Sequence, residues 1–355
     1  MVNSINSDRL MNFIEKLSYP SEKVIRTKPS TLRLADEYLF QAEFEKNLPH
    51  VSPAIVEGCY ILPNGKLFKG LLINAQQFNI NPGFKGLLKS YLRSILSLLQ
   101  VRKATRLTKA LYVTSSTSHN FFHWFLDVLQ ILEFVDESCG QISDLDIKTV
   151  LPNSHNNSFV YNSLDAFDFD FYRQNKGEII IVDELILLPN IAPTGNYRKD
   201  LILKLRDRLR EYWVKKNNFD VNKKRIYITR KNSAIRRIIN EDEIVPLLTK
   251  LGFSIVDFDL LDFEEQLSCV LGCEVLISLH GAGLTHMLWM RENSKVLEIR
   301  ARDDCHNNCY FTLASDLGHD YSYALADKTD PQKITQVSDF IIHPDHLMSQ
   351  ILKIL

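Results

Sequence analysis

One stretch constrains this chain more than any other: Glu274 to Met290, which reads EVLISLHGAGLTHMLWM. Val275–Leu279 is β-branched and aliphatic throughout, the composition of a strand buried on both faces. It breaks at His280-Gly281-Ala282-Gly283, and an apolar helix-like segment, Leu284–Met290, follows at once. A strand that passes through glycines into a helix N-terminus leaves backbone N–H groups unpaired at the sheet edge, beside the positive end of the helix dipole. That arrangement suits a phosphate or diphosphate. Gly281 and Gly283 permit close backbone approach, and His280 can donate a hydrogen bond beside them. A tight turn with a core histidine fits the same residues, so the rest of the chain has to separate the two readings.

The 355 residues suffice for two domains, each with its own core. With 45% hydrophobic and 24% charged residues, no disordered or fibrous class is needed. A formal net charge of -1 lacks the basic surplus of a nucleic-acid binder. Cys269 and Cys273 fall in an apolar helical stretch and read as core. Cys305 and Cys309 bracket His306 at a spacing unlike the usual zinc patterns, and reduced thiols are the simpler account of all six cysteines. The N-terminal MVNSINSDRLMNFIEKL lacks a basic flank and an apolar core, so no signal peptide is expected. No apolar run is long enough to span a bilayer. A cytoplasmic location is expected, with attachment to the inner face of the membrane left open.

From residue 200 onward, strands and helices alternate. Asp200–Trp213 is amphipathic at helical spacing. Strands are expected at Arg225–Thr229, Phe253–Val256, Val275–Leu279, Lys295–Ile299 and Tyr321–Ala324. Helices are expected at Glu241–Leu251, Phe263–Leu271 and Phe311–Leu317. Asn240 and Glu243 suggest a capping box, and Gly252 a helix stop. Such alternation means a parallel sheet with crossover helices, whose ligands bind at the carboxyl ends of the strands. Before residue 200 the pattern is looser. A hairpin is expected around Pro63-Asn64-Gly65 with its second strand at Leu67–Ile73, a helix at Leu87–Leu99, and strands at Lys109–Thr114 and Lys148–Leu151, while Glu178–Leu188 is continuously apolar apart from Asp183 and Glu184. Residues 1–57 are weakly patterned apart from a short helix at Asp8–Leu17.

Three groups of residues could carry chemistry. Arg230 sits just past a strand at the edge where the HGAG turn also lies, and its fork of donors suits phosphate oxygens. Lys231, Arg236 and Arg237 fit a solvated basic face equally well. In a helix from about His119 to Phe134, His119, His123 and Asp127 fall at i, i+4 and i+8, one polar stripe on an apolar segment. Burial of such a stripe is costly unless the groups are paired or face a cleft. A His–Asp general base, a structural pair and a metal site are the three readings. Glu265, early in a helix, and Glu298, at a strand end, could hold ribose hydroxyls or be ordinary first-turn and surface charges.

The order HNFFHWFLD, ITRKNSAIRRIINEDE, FEEQ, SLHGAGLTHMLW and VLEI resembles glycosyltransferase family 61, over a span from Leu111 to Tyr323. The resemblance implies an α/β protein of the GT-B type, two Rossmann-like domains facing a central cleft. Residues 1–200 would be the acceptor-side domain and 201–335 the nucleotide-sugar-binding domain, with 336–355 crossing back to the first. It implies inverting transfer from a nucleotide-sugar, UDP-linked, to a hydroxyl of a glycan acceptor, with no metal or cofactor required. Mapped onto this chain, Asp127 or His123 would be the base. His119 and Asn120 would line the acceptor side. Arg230, Arg237, His280, Gly281, Ala282, Gly283, Leu284, Glu265 and Glu298 would hold the donor. The chain departs from the family at His286, at Thr229 and at Gln130-Ile131, positions that bear on sugar and acceptor identity. Bacterial capsule or surface-polysaccharide synthesis is the expected setting. The alternative is an inactive nucleotide- or glycan-binding scaffold of an assembly complex.

Overall fold

The computed structural model describes residues 12–69, 71–72, 83–139, 146–217, 219 and 223–355. The end of the hairpin strand expected to reach Ile73 and the start of the helix expected at Asp8 lie outside them. The chain is α/β and divides into two compact units: Met1–Glu22 with Leu48–Thr194, and Lys23–Asn47 with Gly195–Leu355. Strands β1 (Glu22–Ile25) and β2 (Glu45–Leu48) pair as a ribbon at the ends of the 23–47 insertion.

The first unit is built on a seven-stranded sheet of β3 (Ala54–Ile61), β4 (Leu67–Lys69), β5 (Leu71–Leu72), β6 (Lys103–Tyr112), β7 (Lys148–Leu151), β8 (Phe171–Arg173) and β9 (Glu178–Leu187), in the order β5-β4-β3-β9-β6-β7-β8. Strands β6 to β9 are mutually parallel, and β3 to β5 continue the sheet antiparallel. Ile61, Ala110, Val150, Val182 and Leu185 make its core. Glu178 fastens the β9 end of this sheet: its carboxylate accepts from Thr105 Oγ1, Tyr172 OH and the Asn175 amides at 2.5–3.0 Å. The chain leaves β6 toward β7 and β8 on one side and returns to the other side as β9. The strand order therefore reverses between β6 and β9, the place where ligands bind in open α/β sheets.

The second unit repeats this logic with β10 (Lys224–Ile228), β11 (Phe253–Val256), β12 (Cys273–Leu279), β13 (Lys295–Ala301), β14 (Asp320–Lys328) and β15 (Phe340–Ile341), in the order β11-β10-β12-β13-β14-β15. All pairs are parallel except β14 with β15. Here the order reverses between β10 and β12. The alternation read from the sequence is observed element by element, with helices at Lys199–Asn217, Glu241–Lys250, Phe263–Val270 and Cys309–Asp316.

Three expectations are corrected. Residues 23–47 pack on the second unit, because their polar and aromatic anchors find partners there. Arg26 is buried against Asp316 with Nη2 3.2 Å from Oδ2, and Phe40 packs among Phe311, Tyr321 and Tyr323 with the Arg300 guanidinium 4.7 Å from its ring. Asn240 makes no cap with its side chain; it clasps Ile342 instead, donating to its carbonyl at 2.8 Å and accepting from its N–H at 3.2 Å. The C-terminal helix Pro344–Ile354 packs within the second unit: Leu347, Ile351 and Ile354 join Ile244 and Leu248 of the Glu241–Lys250 helix and Ala324 and Ala326 of β14 in one core. Leu347 is fully buried there. Leu347→Ala should therefore destabilise this unit by about 2–5 kcal/mol in urea unfolding; a change within error would place the helix outside the core.

Candidate active site

In the second unit the strand reversal brings together the loops after β10 and β12. Arg230 lies two residues past β10, where its Nε donates to the Arg236 carbonyl at 3.0 Å and Nη2 to the Ile235 carbonyl at 3.4 Å. These bonds aim the guanidinium at Gly281, where a Cβ would sit 3.1 Å from Nη1. Gly281 has an extended backbone, φ 169°, that any residue can adopt, so glycine is needed here for space and not for conformation. A Cβ on Gly283 would meet Ile228 Cδ1 at 3.3 Å, which binds the turn closely to β10. After Gly281 the chain winds as a 3-10 helix, Ala282–Trp289.

Arg236 joins Arg230. Its left-handed backbone, φ 57°, turns it out of line with its neighbour Arg237. Burial lowers the pKa of Arg230, and repulsion from the nearby Arg236 lowers it further. The Arg236 Nε is buried with no hydrogen-bond partner. Two like charges held close, one with a buried unpaired donor, fit an anion between them.

His280 stands on the other flank. Its Nδ1 donates to Glu298 Oε1 at 2.5 Å, and Tyr321 OH donates to Oε2 at 2.5 Å. Glu298 is fully buried. Burial pushes its carboxyl up, and His280, Arg300 and Tyr321 more than offset this, so its pKa lies below the ordinary carboxylate value. The Glu298 carboxylate is thus committed to orienting His280, which leaves Nε2 as the outward ring nitrogen. His286 is a core residue: burial pushes it down to about 3, and its ring nitrogens lie 3.0 Å from the Gly283 carbonyl and Gln266 Oε1.

Not every residue expected at the donor site is there. Glu265 closes a capping box, accepting from the Asp262 N–H while Asp262 accepts from its own. Arg237 pairs with Asp339 through Nη2 at 2.8 Å and through its backbone N–H. Glu298 is fully buried, with its oxygens on His280 and Tyr321. Arg236, which the sequence offered only as part of a basic face, is the arginine beside Arg230. Tandem arginines look alike in sequence, and only the left-handed turn separates them.

In the first unit, the loop after β6 leads into a helix that starts at Phe121. Asn120 is its cap, with Oδ1 accepting from the Phe122 N–H at 3.0 Å. His119 precedes the helix, and its carbonyl accepts from Asn157 Nδ2 at 3.1 Å. The expected stripe of three therefore shortens to two. Trp124–Val128 winds as a π-helix, a local expansion that recurs at functional sites. His123 Nδ1 donates to Asp127 Oδ2 at 2.8 Å. Thr194, in the loop after β9, donates to the same oxygen at 3.3 Å and accepts from Asn190 Nδ2 at 3.2 Å. Asp127 is buried and His123 half-buried, so the carboxylate orients the ring through Nδ1 and turns Nε2 away from the pair.

These two sites lie within the region that identifies the chain. The family model described as Glycosyltransferase 61 matches residues 121–297, from the π-helix segment through the HGAG turn to β13, and the chain belongs to that family. It is similar to the EGF domain-specific O-linked N-acetylglucosamine transferase of Xenopus laevis, 34% identical over 114 residues, or 30% of this chain and 21% of that protein. The Gallus gallus protein of the same name is 33% identical over 114 residues, again 30% of this chain and 21% of the relative. That of Drosophila melanogaster is 34% identical over 91 residues, 25% of this chain and 17% of the relative. The match thus spans about a fifth of the length of these relatives.

The Glu298 network has a measurable acid signature. A carboxyl whose folded pKa is depressed contributes stability above its unfolded value, about 4.3, and loses it as pH falls through the folded value. Glu298→Gln should cost about 3–5 kcal/mol at neutral pH, because it leaves buried donors and Arg300 without their carboxylate. The gap from the parent protein should narrow on acidification below pH ~4.3. A gap that stays constant into acid would show that Glu298 is not ionised in the folded protein.

Proposed function

We propose that the chain is an inverting glycosyltransferase that moves a sugar from a nucleotide-sugar to an acceptor hydroxyl, its two units serving as the acceptor-side and donor-side halves of a GT-B enzyme. The observation that carries this reading is the Arg230 guanidinium set against Gly281, with Arg236 near enough to lower its pKa, at the point where the second sheet reverses its strand order. The diphosphate of the donor is the anion such a site suits: fork-shaped donors for its oxygens, no side chain at Gly281, and His280 oriented beside it. In this reading arginine charge does the work that a metal ion does elsewhere.

The reaction is a single displacement. The acceptor oxygen attacks the anomeric carbon on the face opposite the diphosphate, and its proton passes to His123 Nε2. The bond from the anomeric carbon to the diphosphate oxygen breaks, and the electron pair leaves on that oxygen. Arg230 and Arg236 stabilise the charge as it develops. Asp127, held by Thr194, keeps the imidazole in the right tautomer and stabilises the imidazolium that forms.

A UDP-linked sugar is the proposed donor and a hydroxyl of a growing glycan the proposed acceptor, as in surface-polysaccharide synthesis. The names of the relatives support a second acceptor, a hydroxyl on an EGF domain, and they make N-acetylglucosamine the first sugar to test. Transfer assays with oligosaccharide and EGF-domain acceptors separate the two.

Thermal unfolding against UDP, GDP and CDP tests the donor site. One nucleotide at a hundred times its Kd should add about 2.7 kcal/mol of stability, and the gain should vanish in Arg230→Ala and Arg236→Ala. No nucleotide response would remove the donor reading. For the base, His123→Ala and Asp127→Asn should each lower the turnover rate by about 10²–10⁴ while leaving nucleotide binding intact. Transfer at the parental rate in Asp127→Asn would instead make the His–Asp pair structural.

A further inference from the structure

From Tyr91 onward the helix Gly83–Leu98 of the first unit turns its apolar side chains outward. Its small polar residues Ser94 and Ser97 face the protein, 4% and 5% exposed, while Leu92, Ile95, Leu96 and Leu99 stand 42–80% exposed. Tyr91 and Leu98 extend the same apolar surface. This is not a frayed end: Arg102 N–H donates to the Gly177 carbonyl at 2.8 Å, which ties the exit of the helix to the turn before β9. A soluble surface rarely exposes so many large apolar side chains side by side unless something covers them.

Charge indicates what covers them. From Gly58 to Leu126 the chain has nine Lys and Arg and no Asp or Glu, while the remainder carries the other 33 Lys and Arg against all 43 Asp and Glu. Part of this excess surrounds the apolar face. Lys89, Arg93 and Arg102 are exposed on or next to the helix. Burial lowers the pKa of Lys66, and the nearby Arg93 lowers it further, as expected for cations gathered on one surface. Lys103 and Arg106 are partly neutralised by Glu178 and Asp183. A second copy docked on this face would press the same basic set against itself. An anionic lipid surface would satisfy both the apolar residues and their basic surround. At 16 residues the helix would lie in the interface, and no helix among the described residues is long and apolar enough to cross a membrane.

We propose that the segment from Lys89 to Arg102 is a membrane-docking face that binds anionic bilayers, with Leu92, Ile95, Leu96 and Leu99 entering the headgroup–acyl boundary and Lys89, Arg93 and Arg102 contacting lipid phosphates. The site is distinct from both the His123–Asp127 pair and the Arg230–Gly281 turn. It does not depend on the sugar-transfer reading.

Co-sedimentation of the full chain with phosphatidylcholine vesicles, with and without phosphatidylserine, tests it. Binding should require phosphatidylserine, weaken in high salt, and be lost in the double variant Leu96→Asp with Leu99→Asp. Lys89→Gln and Arg93→Gln should each weaken it about fivefold. All these positions are exposed, so the variants should melt at the parental temperature. No binding to anionic vesicles, or binding indifferent to Leu96→Asp with Leu99→Asp, overturns the proposal. A dimer seen by light scattering that the same pair dissolves, without vesicle binding, would assign the face to a second copy and overturn it equally.

Discussion

The approach of the Arg230 guanidinium to Gly281 is the contact on which the turn after β12 depends. It requires a strand order that reverses between β10 and β12, so that two loops far apart in sequence emerge side by side. It also requires a residue without a side chain at 281, since a Cβ there would stand 3.1 Å from Nη1. The Arg236 and Ile235 carbonyls then fix the guanidinium in place. Burial and the neighbouring Arg236 both disfavour the Arg230 charge, Arg236 Nε is buried without a partner, and an anion beside them would satisfy both.

The first unit follows the same rule with different residues. Its sheet reverses between β6 and β9, and the loops from these two strands supply His123 with Asp127 on one side and Thr194 on the other. In both units a buried carboxylate orients a histidine through Nδ1: Asp127 holds His123, and Glu298 holds His280. Each carboxylate accepts a second bond from a hydroxyl, Thr194 in one case and Tyr321 in the other. Burial of the carboxylate becomes tolerable because its oxygens are satisfied, and the partner histidine is left with one nitrogen to use.

Much of the second unit was legible in the sequence because its strands are short, β-branched and separated by amphipathic helices. Each such segment is consistent with only one kind of element. The first 57 residues were not legible, because their anchors are single residues with distant partners. Arg26 makes sense only beside Asp316, and Phe40 only among Phe311, Tyr321 and Tyr323. Glu265 and Asn240 show the opposite hazard. Both sit in recognisable helix-start patterns, yet Glu265 does cap its helix and Asn240 does not, because the backbone of Ile342 competes for its amide.

By itself the sequence determined the α/β class and the turn at His280–Gly283, and it offered Arg230 as a candidate and His123 and Asp127 on one helical stripe, since all of these follow from local composition and helical spacing. Tertiary structure alone decided which tandem arginine joins Arg230, that Glu298 serves His280, and that His119 lies off the helical stripe. It also turned Leu92, Ile95 and Leu96 outward, where periodicity would have placed them in the core. The physical reason is common to all four. Spacing says which side chains share a face, but the direction of that face is set by backbone turns, such as the left-handed Arg236, and by partners distant in sequence.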